Sequence, residues 1–117
     1  MIYGIGVDIV ETERIQEIIL KNPKFISRVL TQKEQACFVS LKGRRQVEYL
    51  GGRFACKEAF SKAFGTGIGK VGLQDIEILS LATGQPIVTN SPFDGNIFVS
   101  ISHTDSCIIG QIVLETK

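Results

Sequence analysis

The sequence has 117 residues, 44% of them apolar, which suffices for one domain with a buried core and is too short to divide convincingly into two. Thirteen basic against twelve acidic residues leave a formal charge of +1, so no global field draws the chain to nucleic acid or an anionic membrane, and any anion site must be local. No apolar run approaches ~18 residues, and the N-terminus lacks a basic region and meets Asp8 at once, so no membrane span, no secretory leader and a cytoplasmic protein are expected. Cys37, Cys56 and Cys107 are odd in number and set among apolar neighbours, which predicts reduced core thiols rather than bridges or a zinc site.

From Tyr3 to Val10 the pattern alternates, with Ile5, Val7 and Ile9 on one face and Gly4, Gly6 and Asp8 on the other. This predicts a strand whose second face, glycines beside a carboxylate, can be approached closely by a ligand or by another backbone. From Thr12, the spacing of Ile15, Ile18 and Ile19 predicts an amphipathic helix that stops near Asn22-Pro23. A second helical stretch covers Phe25 to Leu30, and Thr31-Gln32-Lys33-Glu34 is a capping-box pattern opening a helix to about Leu41. Lys42-Gly43-Arg44-Arg45 reads as a basic loop.

The longest periodic segment, Gln46 to Phe64, places Tyr49, Cys56, Phe60 and Ala63 on one side of a helix and Glu58 and Lys62 on the other. Gly51 and Ala55 beside that charged pair predict a nearly bare face with room for something to pack. Gly65 reads as the helix stop. The glycine run that follows matches the dinucleotide fingerprint in letters only, because it leads from a helix into a strand and so reverses the required order. The remainder predicts strands at Ile76 to Leu81, Ile87 to Thr89, Ile97 to Ser102 and Cys107 to Glu115. The last is apolar on both faces and is expected to be covered twice. Helices gathered in the first half and strands in the second give an α+β fold, with the helices packed on a small, mainly antiparallel sheet.

Ser102, His103 and Asp105 are hydrolase residue types, but neighbours along a strand point to opposite faces and form no triad. Asp8 in an apolar strand and Glu58 on a long helix are the unusual residues, because carboxylates are seldom buried without a cation or donors. With Lys62, Arg53 and Lys57 they suggest oxygen ligands for a hard ion beside several phosphate donors, a combination that suits magnesium.

Three blocks then carry a resemblance over nearly the whole length: Gly4 to Glu11, Gly52 to Gly67 and Val99 to Thr104. With this order and spacing the chain resembles the bacterial holo-acyl-carrier-protein synthase family of 4'-phosphopantetheinyl transferases. The resemblance implies a transferase that moves phosphopantetheine from coenzyme A to a serine of apo acyl carrier protein, releasing 3',5'-ADP, in fatty acid biosynthesis. It implies magnesium on Asp8 and Glu58, with Lys62 on the coenzyme diphosphate. It places Arg53, Phe54, Lys57, Gly65, Thr66, Gly67, His103 and Thr104 in the coenzyme site. It also implies a homotrimer with each site between two subunits. Acidic carrier proteins call for a basic and apolar docking surface, which Arg14, Ile18, Phe25 and Arg28 offer. A two-unit transferase of broader specificity is disfavoured by length. An idle coenzyme-binding trimer is disfavoured by the presence of both carboxylates, and a nucleic-acid module by the lack of a basic face with aromatic platforms.

Overall fold

The computed structural model describes residues 1–65 and 71–117. In chain order the elements are β1 (Ile2–Glu11), α1 (Thr12–Lys21), α2 (Pro23–Val29), α3 (Gln32–Ser40) and α4 (Arg44–Phe64). A 3-10 turn (Leu73–Asp75) and strands β2 (Glu77–Ser80), β3 (Pro86–Asn90), β4 (Asn96–His103) and β5 (Cys107–Glu115) follow. The fold is α+β. One antiparallel sheet has the order β1-β5-β4, and β2 pairs antiparallel with β3 in a second. Among the described residues no helix is long and apolar enough to cross a membrane.

The predicted capping box forms: the Thr31 hydroxyl accepts from the Glu34 amide at 3.3 Å, and the Glu34 carboxylate accepts from the Thr31 amide at 2.8 Å. Two orphaned donors are thereby satisfied, which fixes the start of α3. Gly65 ends α4 in the left-handed region, φ 88°, where its amide bonds the Ser61 and Lys62 carbonyls. The four residues read as a basic loop divide differently. Gly43 carries the positive φ, and Arg44 and Arg45 already lie in α4, where Arg44 pairs with Glu48 one turn on at 3.1 Å.

α4 runs through the centre of the molecule, and most of its residues from Val47 to Ala63 are buried. The expected bare face is in fact filled. Gly51 meets Ile108, and a side chain on Gly110 of β5 would come within 2.7 Å of the Cys56 amide. On β1, a side chain on Gly4 or Gly6 would overlap the Ala63 or Ala59 carbonyl oxygen. The glycine face of β1 thus admits another backbone, that of α4. Gly6→Ala is therefore expected to lower stability by about 1–3 kcal/mol through forced separation of helix and strand, measured by denaturant unfolding. An unchanged midpoint would refute the close packing.

The core continues from this contact into two clusters. One joins Phe60, Ile76, Ile78, Ile112 and Leu114, and the other joins Ile15, Leu30, Leu50, Phe38 and Ile108. Cys56 is fully buried, and burial pushes its thiol up to about 12, which makes it inert. Cys37 and Cys107 are free but only half-buried, so the core-thiol expectation holds fully for Cys56 alone.

β5 is also covered less than expected. Its Ile108, Ile112 and Leu114 are buried under α4, whereas the opposite face of the sheet is open: Ile5 is 65% exposed, Val7 54%, Ile9 60% and Phe98 55%. Register aligns these residues across Val113, Gln111 and Ile109 into one apolar surface. Within a single chain nothing among the described residues covers it.

Candidate active site

α4 and β1 together place the carboxylates. Asp8 is the next residue after Gly6 on the helix-facing side of β1, and Glu58 stands on α4 next to Ala59, whose carbonyl packs on Gly6. Lys62, one turn beyond Glu58, donates to the Asp8 carboxylate at 3.2 Å and to the Val7 carbonyl at 3.0 Å, on the open edge of β1. Burial pushes the Glu58 carboxyl above the usual carboxylate range, the Asp8 charge pushes it further, and the Lys62 ammonium opposes both. The two acids thus face each other closely enough to raise the cost of ionising the second.

That relation is what a divalent cation relieves. Among the described residues no group of three or more His, Cys, Asp or Glu forms a protein cage, so any ion here would take two carboxylates and complete its shell from outside the chain. Magnesium binds in that way, through one or two carboxylates with water and substrate phosphate. The donor set fits it. Lys62, whose side chain is 54% exposed, is free to turn from Asp8 towards an incoming phosphate.

A second cluster lies on the other side of α4. Arg53 and Lys62 are nine residues apart, about two and a half helical turns, and therefore project oppositely. Arg53 donates to the Ile78 carbonyl at 3.2 Å and the Ser80 hydroxyl at 3.0 Å, and its guanidinium lies 4.0 Å over the Tyr49 ring. It joins Arg45, Glu48, Pro86 and His103 around a cavity of about 410 Å³. His103 Nδ1 is 3.5 Å from the Glu48 carboxylate. Two guanidinium groups and an imidazole beside a half-apolar wall suit an anionic aromatic ligand such as a nucleotide. Arg45, Glu48 and Tyr49 line this cavity although none was expected in a site from the sequence. The basic run at 42–45 is the available signal, and its two arginines open α4 instead of lying in a loop.

Other expected coenzyme residues fall elsewhere. Lys57 does not reach either cluster: its ammonium is fully buried, donating to Glu34 at 2.6 Å and to the Val29 carbonyl at 2.5 Å. Burial pulls it below the usual lysine range, with Glu34 opposing. Phe54 stacks on Phe25 at 5.4 Å between centroids and lines, with Arg14, Ile18 and Phe25, a separate groove of about 290 Å³. It therefore lies beside the residues expected to dock a carrier. Arg28 lies exposed in the last turn of α2. Thr104 is a turn residue whose hydroxyl accepts from the Ser106 and Cys107 amides, while its carbonyl accepts from Arg44 at 3.1 Å. Gly65 caps α4, and Thr66 and Gly67 lie outside the described residues.

Comparison with known proteins identifies the family of the chain. The 4'-phosphopantetheinyl transferase superfamily matches residues 4–114. The holo-acyl-carrier-protein synthase of Enterococcus faecalis is 61% identical over 117 residues, spanning all of both chains. The Bacillus anthracis synthase solved in complex with CoA (3',5'-ADP) superposes with a TM-score of 0.93 at 44% identity, covering 100% of this chain and 99% of that one. The Helicobacter pylori synthase in complex with coenzyme A gives 0.82 at 31% identity, covering 95% and 99%. With a match across almost its entire length and a full-length relative at this identity, the chain belongs to the 4'-phosphopantetheinyl transferase superfamily.

Proposed function

We propose that the protein transfers 4'-phosphopantetheine from coenzyme A to a serine of apo acyl carrier protein, as a magnesium-dependent holo-acyl-carrier-protein synthase serving fatty acid biosynthesis. The observation that carries this is the Asp8–Glu58–Lys62 cluster: two facing acids and one movable cation, in a chain 61% identical to such a synthase. In the reaction, the serine oxygen forms a bond to the β-phosphorus of the coenzyme pyrophosphate. The bond from that phosphorus to the bridging oxygen breaks, its electrons leave with 3',5'-ADP, and the serine proton passes to a base in the site.

Phosphoryl transfer of this kind needs alignment and charge stabilisation more than covalent help from protein. Asp8 and Glu58 would hold magnesium, which when bound neutralises pyrophosphate charge. Lys62 releases Asp8 and binds a phosphate oxygen, stabilising charge that grows as the leaving group departs. The Arg45–Arg53–His103 cavity takes the nucleotide end.

Because α4 separates this cavity from Asp8 in one chain, we read a working site as shared between two copies, in a homotrimer closed over the open apolar sheet face. Arg14, Ile18, Phe25 and Arg28, with Phe54, offer the basic and apolar surface on which an acidic carrier docks.

The test is to incubate the protein with apo carrier protein, coenzyme A and magnesium and follow the carrier by mass spectrometry. A phosphopantetheine adduct that a chelator abolishes is expected. No adduct, or one indifferent to the chelator, would overturn the reading.

A further inference from the structure

α2 has only seven residues, too few to stand alone in water, and its last carbonyls have no partner within the helix. Here they are held by side chains from three other elements. Gln74, in the 3-10 turn, shares its amide among the carbonyls of Ser27 at 2.8 Å, Arg28 at 3.2 Å and Leu30 at 2.8 Å. Lys57 of α4 donates to the Val29 carbonyl, and Gln35 of α3 donates to that of Leu30 at 2.9 Å. Glu34 anchors Lys57 and also accepts the Ile78 amide at 2.8 Å, so β2 is tied into the same knot.

Stability alone does not call for this construction. Val29 and Leu30 are buried, so their carbonyls need protein donors, which Lys57 and Gln35 supply, but Ser27 and Arg28 are exposed, and water could satisfy theirs in place of Gln74. A buried lysine–glutamate pair is commonly matched or bettered by apolar side chains of the same volume. What directional bonds from a rigid framework supply is orientation: they fix the turn of α2 that bears Arg28, one turn beyond Phe25. We propose that Gln74 and Lys57 are positioning residues for carrier docking, holding α2 by its C-terminal carbonyls so that Arg28 and Phe25 face an acidic carrier protein. This rests on the docking surface assigned above.

Steady-state kinetics with coenzyme A and apo carrier protein test it, using wild type, Gln74→Ala, Arg28→Glu and the double variant. Gln74→Ala removes only an exposed side chain and should fold normally, unlike substitutions at buried Lys57. It is expected to raise the KM for the carrier by about threefold to tenfold, with kcat and the KM for coenzyme A within about twofold of wild type. In the Arg28→Glu background it should add little, because both changes act through one helix turn. The proposal is overturned if Arg28→Glu raises the carrier KM but Gln74→Ala does not, if the two effects add fully, or if the coenzyme KM rises equally. Should Arg28→Glu itself leave the carrier KM unchanged while the wild type modifies carrier normally, the docking surface is wrong and the proposal falls with it, although the transferase reading stands.

Discussion

Asp8→Asn and Glu58→Gln are each expected to lower kcat by about a thousandfold or more while leaving the fold intact, because each removes a charge that organises the reacting phosphates without changing side-chain volume. The structure gives a reason for both halves of this expectation. Asp8 and Glu58 are partly exposed, and the hydrogen bonds that fix α4 to β1 do not pass through the Glu58 carboxylate. Burial and the Asp8 charge both raise the cost of ionising Glu58, so neutralising it removes an unfavourable charge. Glu58→Gln should therefore melt no lower than wild type, and Asp8→Asn should lose only the exposed Lys62 contact, an ion pair of small weight. The discriminating measurement combines thermal unfolding with turnover over a magnesium titration. Normal melting with lost turnover that excess magnesium does not restore places both groups on the ion; full activity in either variant removes that residue from the site.

Much of this arrangement was legible in the sequence because local rules and global packing agree there. The Thr31–Glu34 capping box, the Gly65 stop and the alternation of β1 each rest on short-range geometry that tertiary structure did not override. The pairing of Asp8 with Glu58 rested on two acids that had no local reason to be apolar neighbours. What could not be read was direction around α4. Lys57 and Arg53 both read as cations beside a metal ligand, but Lys57 is turned inward onto Glu34, and Arg53, braced by Ile78, Ser80 and Tyr49, lines the cavity on the far side of α4. Glu34 lies 23 positions from Lys57 in sequence and Ile78 lies 25 from Arg53, so no helical or strand period could reveal either partner. The place of Phe54 beside Phe25, in a groove with Arg14 and Ile18, was hidden for the same reason, since tertiary packing sets it.

Phe98→Asp is expected to produce monomers that fold and yet turn over at least about a hundredfold more slowly, since it would cost a shared site the partner's entire contribution. Phe98 lies on β4, across Val113 from Ile5, and is 55% exposed in the single chain, so a carboxylate there meets water in the monomer and an apolar surface only in an assembly. It is on the opposite edge strand from Asp8, which keeps any loss of activity from being a local disturbance of the carboxylates. Sedimentation velocity should show a single small species, with circular dichroism as in wild type. A companion measurement separates assembly from mere crowding of the face. Asp8→Asn and Arg45→Glu should each be inactive alone, the first lacking the metal half and the second the nucleotide half. Subunits mixed after partial unfolding and refolding should regain activity, because some sites then combine an intact Asp8 from one chain with an intact Arg45 from another. Sites contained within one chain cannot be repaired by mixing, so no recovery beyond the separate residual rates, or a fully active Phe98→Asp monomer, would show that each chain works alone.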